Sequence, residues 1–285
     1  MATMLSLKRR IRTAQNVSKT TRAMQMIAAS KLKRAQEAAV LARPYVDKLS
    51  GISQSLTAKI DSDSLHGYMK SSGKTTKRLI IIMSPDKGLS GALVSNLLKE
   101  VYLSKQANQD YYIIIGKKAE SGVISLGKEV IASFPFGTTL PSFDMVYPIV
   151  KIVDEYFLNG KVFEVKIVST KFTNVFSQTP KTTDILPIKL SGEKIQEKRS
   201  VMLFEPNLQE LLPSLLQHYL EMVIYQSLLE NYASEQAARM LAMKNATDNA
   251  LEVIDELKLD YNKSRQEKIT NEILDIGSAA FAYAD

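Results

Sequence analysis

The sequence predicts an α/β domain carrying a long antiparallel coiled coil, and three observations predict it. Ser214 to Asp285 contains no proline and one glycine, Gly277. Leu5 to Arg43 lacks both residue types. Between these ends, short apolar runs alternate with segments of helical spacing. An unbroken helix of about 72 residues would span ~108 Å at roughly 1.5 Å per residue. A compact domain of this mass is about half that across. Such a helix must find a second helix to cover its apolar side, and the N-terminal segment is the candidate. The expected arrangement is a rod built from the N- and C-terminal helices on a central α/β base. The expected divisions are 1–60 (N-terminal shaft helix), 75–205 (central domain) and 208–285 (C-terminal shaft helix).

Charge supports the pairing. Residues 1–43 hold ten Lys/Arg and one acid, Glu37, whereas residues 214–285 hold six Lys/Arg and twelve Asp/Glu. A basic helix and an acidic helix of one chain attract each other before any external partner is invoked. The N-terminal stripe runs Leu7, Ile11, Ala14, Ser18, Thr21, Ala28, Leu32, Ala35, Ala39 and Ala42, with Gln25 interrupting it. Steps of three and four put these residues on one face. Most are small, so a partner can approach closely. Ser6 reads as the N-cap. Pro44 limits or kinks the helix, which is expected to reach about Leu56.

The polar stretch 61–77 reads as a linker. Leu79–Met83 is a continuous apolar run, as in a strand buried on both faces. Ser84–Gly91 is a turn, Ala92–Tyr102 has helical spacing, and Tyr111–Ile115 is a second β-branched and aromatic run ended by Gly116. This order is that of a βαβ unit, so the base is expected to be Rossmann-like. A helix is expected over Ser142–Leu158 despite Pro148, and strands over Val162–Phe172 and Ile185–Leu190. The turn Phe204-Glu205-Pro206 leads to the last helix, which starts between Leu208 and Ser214. Its stripe runs Ala233, Ala237, Met240, Met243, Thr247, Ala250, Ile254, Leu257, Tyr261, Ile269, Ile273, Ile276, Ala280 and Tyr283. A sustained repeat of this kind forms the seam of a two-stranded coiled coil.

The chain has no cysteine, which excludes disulfides and thiolate metal sites. Its two histidines, His66 and His218, are far apart in sequence, which argues against a metal site or a catalytic triad. No apolar run reaches the ~18–20 residues of a membrane span, and no signal-peptide core precedes Lys8. A soluble protein of a reducing compartment is expected.

Several segments could carry chemistry. The loop Ser84-Pro85-Asp86-Lys87-Gly88-Leu89-Ser90-Gly91 joins a strand to a helix, where backbone amides can hold a phosphate. It lacks the Lys-Ser/Thr ending of a P-loop and the spacing of a dinucleotide fingerprint, so it reads as a structural turn. The basic residues Lys8, Arg9, Arg10, Arg12, Lys19, Arg22, Lys31, Lys33 and Arg34 could grip nucleic acid, but no aromatic residue is interleaved to stack on bases. Glu252, Asp255 and Glu256 have surface spacing and no histidine beside them, so a solvated face outweighs an acid–base pair. Met240–Met243 reads either as seam filling or as an adaptable contact surface.

Several blocks resemble one family. Ala233–Ala250 (ASEQAARMLAMKNATDNA) and Tyr261–Ile273 (YNKSRQEKITNEI) are similar to the C-terminal blocks of the F-type ATP synthase gamma chain, bacterial type. Leu7–Arg12 and Thr20–Leu32 resemble its N-terminal block. Ser84–Gly91 resembles its Ser-Asp-Arg-Gly-Leu-Cys-Gly loop, with Pro85 added and Ser90 for Cys, and Phe204-Glu205-Pro206 its aromatic-Glu-Pro turn. Ala279-Ala280 stand where the family usually has Gly-Ala, and alanine propagates a helix better than glycine.

The resemblance implies a non-catalytic central rotary stalk, without cofactor, inside a ring of alpha and beta subunits. Its base would rest on the c-subunit ring and hold epsilon. It implies that Arg265 and Gln266 engage a beta-subunit loop, with Thr270 and Glu272 one turn further along. Met24 would face the acidic beta lever, and Glu205 would lie near the c ring and epsilon. The implied location is peripheral, on the cytoplasmic side of the inner membrane. A coiled-coil scaffold with an inert α/β head and a small nucleotide-binding enzyme are the alternatives.

Overall fold

The computed structural model describes residues 3–57, 66–71, 75–103, 110–188 and 208–282. The element order is α1 (Met4–Thr57), a 3-10 turn (Gly67–Met69), β1 (Arg78–Met83), α2 (Leu93–Leu103), β2 (Tyr111–Ile115), α3 (Lys117–Ser125), β3 (Glu129–Phe134), a second 3-10 turn (Phe143–Met145), α4 (Val146–Leu158), β4 (Glu164–Phe172), β5 (Gln178–Leu186) and α5 (Leu208–Ala282). The chain forms two compact units: Met1–Ile27 with Met240–Asp285, and Ala28–Arg239. Both long helices contribute to both units.

In the unit of residues 28–239 the five strands lie in the order β3-β2-β1-β4-β5. β1 to β4 are parallel, and β5 closes one edge antiparallel to β4. Leu79 to Met83 and Tyr112 to Ile115 are fully buried, which explains their continuous apolar sequence. On one side Ile80, Ile82, Tyr112 and Ile114 pack with Leu97 and Val101 of α2 and Val123 of α3. Gly122 lets α3 approach closely, since a Cβ there would lie 2.6 Å from Leu98. α4 buries Val146, Ile149, Val150, Val153 and Phe157, a stripe that Pro148 in the first turn leaves intact.

Two boundaries differ from expectation, and α1 ends at Thr57, beside the expected Leu56. The N-cap role falls to Thr3 rather than Ser6: Thr3 Oγ1 accepts the Ser6 N–H (3.3 Å), and the Ser6 hydroxyl donates back to the Thr3 carbonyl (2.7 Å). α1 passes through Pro44, flanked by the Arg43–Glu230 ion pair (3.0 Å) and by Tyr45 against His218 (2.8 Å), both contacts to α5. The strand expected over Ile185–Leu190 is instead Gln178–Leu186, and only its buried end, Ile185 and Leu186, has a strand-like apolar pattern. As an edge strand β5 takes its conformation from pairing with β4 rather than from apolar alternation. Residues 189–190 and Phe204-Glu205-Pro206 lie outside the described residues. α3 and β3 have no counterpart in the elements expected from the sequence.

Candidate functional site

In an open parallel sheet, ligands bind outside the carboxyl ends of the strands where strand order reverses. Here that point lies at β1, with β2 on one side and β4 on the other. The 84–91 loop leaves the sheet there, and its own contacts occupy it. The Ser84 hydroxyl donates to the Gly116 carbonyl (2.7 Å) and accepts the Ala119 N–H (3.2 Å). Asp86 accepts the backbone N–H of Lys117 (3.0 Å) through Oδ1 and of Gly137 (2.7 Å) through Oδ2. Asp86 thus takes two amides from outside the loop, one at the start of α3 and one after β3, and ties the turn to both. Leu89 has φ 64°, the one described non-glycine residue with positive φ.

The switch point itself is engaged by α5. The β1–β4 ladder ends at Ile82 and Val168, so Thr170 lies past the last paired residue. Asn231 Oδ1 accepts the Thr170 N–H (3.1 Å), and the Ser234 hydroxyl donates to the Thr170 carbonyl (2.9 Å). Pro180, opposite Thr170 on edge strand β5, has no N–H to offer. Two side chains of a helix therefore continue the ladder that β1 abandons. Asn231→Ala is expected to cost about 1–3 kcal/mol by leaving a buried N–H unpaired. Urea unfolding at constant m-value measures this.

Arg239 fastens α5 to the loop. It donates to the carbonyls of Lys87 (3.1 Å) and Gly88 (3.3 Å) and pairs with Glu235 at 2.7 Å. Glu235 is nearly buried, and burial raises its carboxyl above the ordinary range despite the lowering effect of Arg239. Asn231 to Ala238 are buried on every side of the helix. The sequence signal was the small residues all round the helix, Ala233, Ser234, Ala237 and Ala238, which mark a surrounded segment. The polar residues that make the bonds sit among them, and the stripe did not single them out.

The unit of residues 1–27 and 240–285 is a helix pair. The Thr21 and Thr247 hydroxyls meet at 2.7 Å, with Leu7, Ser18, Met243, Ala250, Ile254 and Leu257 buried. A groove of about 500 Å³ is lined by residues including Arg9, Thr13, Val17, Asn249 and Val253. The basic residues Lys8, Arg9, Arg10, Arg12, Lys19 and Arg22 are all exposed, as are the acids Asp248, Glu252, Asp255, Glu256 and Asp260. Carried along the antiparallel register of Thr21 and Thr247, Met4 lies opposite about residue 264. Beyond it α5 has no partner among the described residues of this unit: Ile269, Ile273 and Ile276 are 46%, 63% and 71% exposed. The expected seam does not continue through these residues, because α1 has ended. Ala280 has no described side-chain environment, and Tyr283 lies outside the described residues.

Met24 is exposed on α1. Arg265, Gln266, Thr270 and Glu272 are exposed on the unpartnered part of α5. The Thr270 hydroxyl donates to the Gln266 carbonyl (2.9 Å), and Glu272 faces Lys268 at 3.5 Å. The register puts Met24 opposite about residue 244, roughly 30 Å along the helix from Arg265, so these positions form two regions. Glu205 lies outside the described residues.

The fold and site define an α/β domain whose switch point is engaged by the chain's own C-terminal helix. The family model described as ATP synthase matches residues 3–283. The ATP synthase gamma chain of Dehalococcoides mccartyi strain CBDB1 is 37% identical over 286 residues, covering 100% of both chains. That of Glaesserella parasuis is 38% identical, covering 99% of this chain and 100% of the relative. The chain belongs to the ATP synthase gamma-chain family.

Solved structures agree on the fold. A chain of the Tetrahymena thermophila mitochondrial ATP synthase central stalk and c ring superposes with TM-score 0.60 at 24% identity, covering 80% of this chain and 99% of that one. A chain of the Euglena gracilis mitochondrial ATP synthase rotor gives 0.64 at 17% identity, covering 93% and 98%. A gamma chain is a peripheral part of a membrane complex. Among the described residues, no helix is long and apolar enough to cross a membrane.

Proposed function

We propose that the chain is the central rotary stalk subunit of an F-type ATP synthase. In this role it couples ion-driven rotation of a membrane c ring to conformational change in catalytic beta subunits. The observation that carries this reading is family membership over nearly the whole chain, 3–283. The chain performs no covalent step and needs no cofactor. Its partners are the alpha, beta and epsilon subunits and the c ring, and it sits on the cytoplasmic side of the inner membrane. Residues 1–60 and 208–285 supply the shaft helices, and 75–205 the base.

The physics suits the role. A helix pair with exposed Arg9, Arg10 and Arg12 on one helix and exposed Glu252, Asp255 and Glu256 on the other is electrically lopsided. Such a shaft cannot offer one face to three identical neighbours at once. It biases each toward a different conformation, and turning it permutes the biases. Shifting one two-state neighbour from 1:99 to 99:1 takes about 5.5 kcal/mol of differential contact energy. Met24 on one region, and Arg265, Gln266, Thr270 and Glu272 on the other, are the proposed beta contacts. Glu205 is the proposed contact to the c ring and epsilon.

Copurification tests the assignment. A stalk subunit appears once per six large nucleotide-binding subunits, a scaffold does not, and an enzyme binds nucleotide alone. Met24→Lys is expected to lower ATP formed per ion translocated while the complex assembles normally. Unchanged coupling in that variant would remove Met24 from the proposed contacts.

A further inference from the structure

We propose that His66 is a proton-operated latch: neutral, it holds the turn Gly67–Met69 against α4, and its protonation releases that turn. The inference concerns the unit of residues 28–239 alone and does not depend on the assembly. His66 is the N-cap of the turn, and its Nδ1 accepts the Tyr68 backbone N–H at 3.3 Å. Only a deprotonated Nδ1 can accept, so the cap exists in one charge state of the ring.

The capped turn fastens three parts of the fold. Tyr68 is buried, and its hydroxyl donates to Asp154 Oδ1 of α4 at 2.6 Å. Its carbonyl accepts the Ile188 N–H at 2.9 Å, beyond the end of β5. Gly67 presses so closely on Leu158 of α4 that a Cβ would lie 2.8 Å from its methyl group. The His66 ring packs on Tyr68 with centroids 4.9 Å apart.

The charged surroundings define the sense of the switch. Asp154 faces the cluster from α4 and Glu221 from α5. Glu221 meets His218 Nδ1 at 3.3 Å and accepts from Gln217 at 3.5 Å, while His218 Nε2 meets the Tyr45 hydroxyl of α1 at 2.8 Å. Both histidines of the chain thus address one acid pair, although 152 residues separate them in sequence. For His66 burial outweighs the attraction of Asp154 and pushes the imidazole below its ordinary value of 6.5. The folded turn therefore binds fewer protons than the free chain. Its contribution is complete above 6.5 and is lost as pH falls through the lowered value.

Amide hydrogen exchange of the full-length chain at pH 7.5, 6.0 and 5.0, corrected for intrinsic rates, tests the latch. Relative to pH 7.5, exchange at Tyr68 and Ile188 is expected to rise about fivefold at pH 5.0, the loss of one N-cap. His66→Asn, which can accept the same N–H but does not titrate, should be flat across this range. His218→Gln should keep the rise. A flat profile in the unsubstituted protein, an undiminished rise in His66→Asn, or a rise abolished by His218→Gln would each overturn the proposal.

Discussion

Arg239→Gln will destabilise the α/β unit by about 3–5 kcal/mol near pH 7.5, because it strands a buried carboxylate. Glu235 is 3% exposed, and Arg239 supplies its ion pair, while Glu235 Oε2 has no hydrogen-bond partner among the described residues. The substitution also removes the donors that reach the Lys87 and Gly88 carbonyls. Burial already raises the Glu235 carboxyl, and removing Arg239 raises it further. A raised carboxyl takes up a proton more readily in the folded state. The defect should therefore be largest above the raised value and shrink as pH falls toward the ordinary carboxylate range. Urea unfolding at pH 7.5 and 5.0 measures this. Glu235→Gln in the Arg239→Gln background should recover part of the loss at pH 7.5 and little at pH 5.0. Equal deficits at both pH values would show that the lost loop contacts, not the stranded charge, set the cost.

Gly116→Ala should be severely damaging. Gly116 ends β2 with φ 95°, and a Cβ there would lie 1.8 Å from the Ser84 carbonyl oxygen. Both residues are held to the sheet by backbone hydrogen bonds. Ser84 N donates to Ile115 O at 2.7 Å, and Gly116 N donates to Phe134 O at 2.8 Å. The sterically disfavoured φ costs about 1–2 kcal/mol and forced displacement of packed backbone adds more, so a loss above about 4 kcal/mol is expected. Gly127→Ala is the control. Gly127 also has positive φ, 68°, but nothing lies within 4 Å of its Cβ position. It should lose only the conformational term, about 1 kcal/mol. Comparable midpoints for the two variants would mean that the sheet can yield around Ser84.

The parts of the fold legible in sequence were those in which each residue's environment repeats regularly. β1 and β2 could be placed because strands buried on both faces are apolar throughout. The two long helices could be placed because a stripe of small residues recurs at steps of three and four. β5 escaped because an edge strand with polar faces has no alternation to read. The same applied to the buried polar side chains of α5. Asn231, Ser234, Glu235 and Arg239 are polar residues within a helical block, and their partners come from Thr170 past the β1–β4 ladder, from the 84–91 loop and from one another. The proposed contacts Met24, Arg265, Gln266, Thr270 and Glu272 rest on resemblance to a family alone, since exposed side chains on a helix carry no periodic signal.

The sequence by itself determined the fold class, the family, the helix pairing by charge and stripe, and the exclusion of thiolate chemistry. The family follows from the resemblance of its sequence blocks, and the rest from composition and short-range periodicity, which are properties of neighbours along the chain. Only the tertiary structure decided that Asn231 and Ser234 of α5 take up Thr170 at the switch point, that Asp86 ties the 84–91 turn to the amides of Lys117 and Gly137, and that Arg239 reaches the Lys87 and Gly88 carbonyls. Those contacts join residues tens to hundreds of positions apart, and their energies depend on burial and distance, which folding creates.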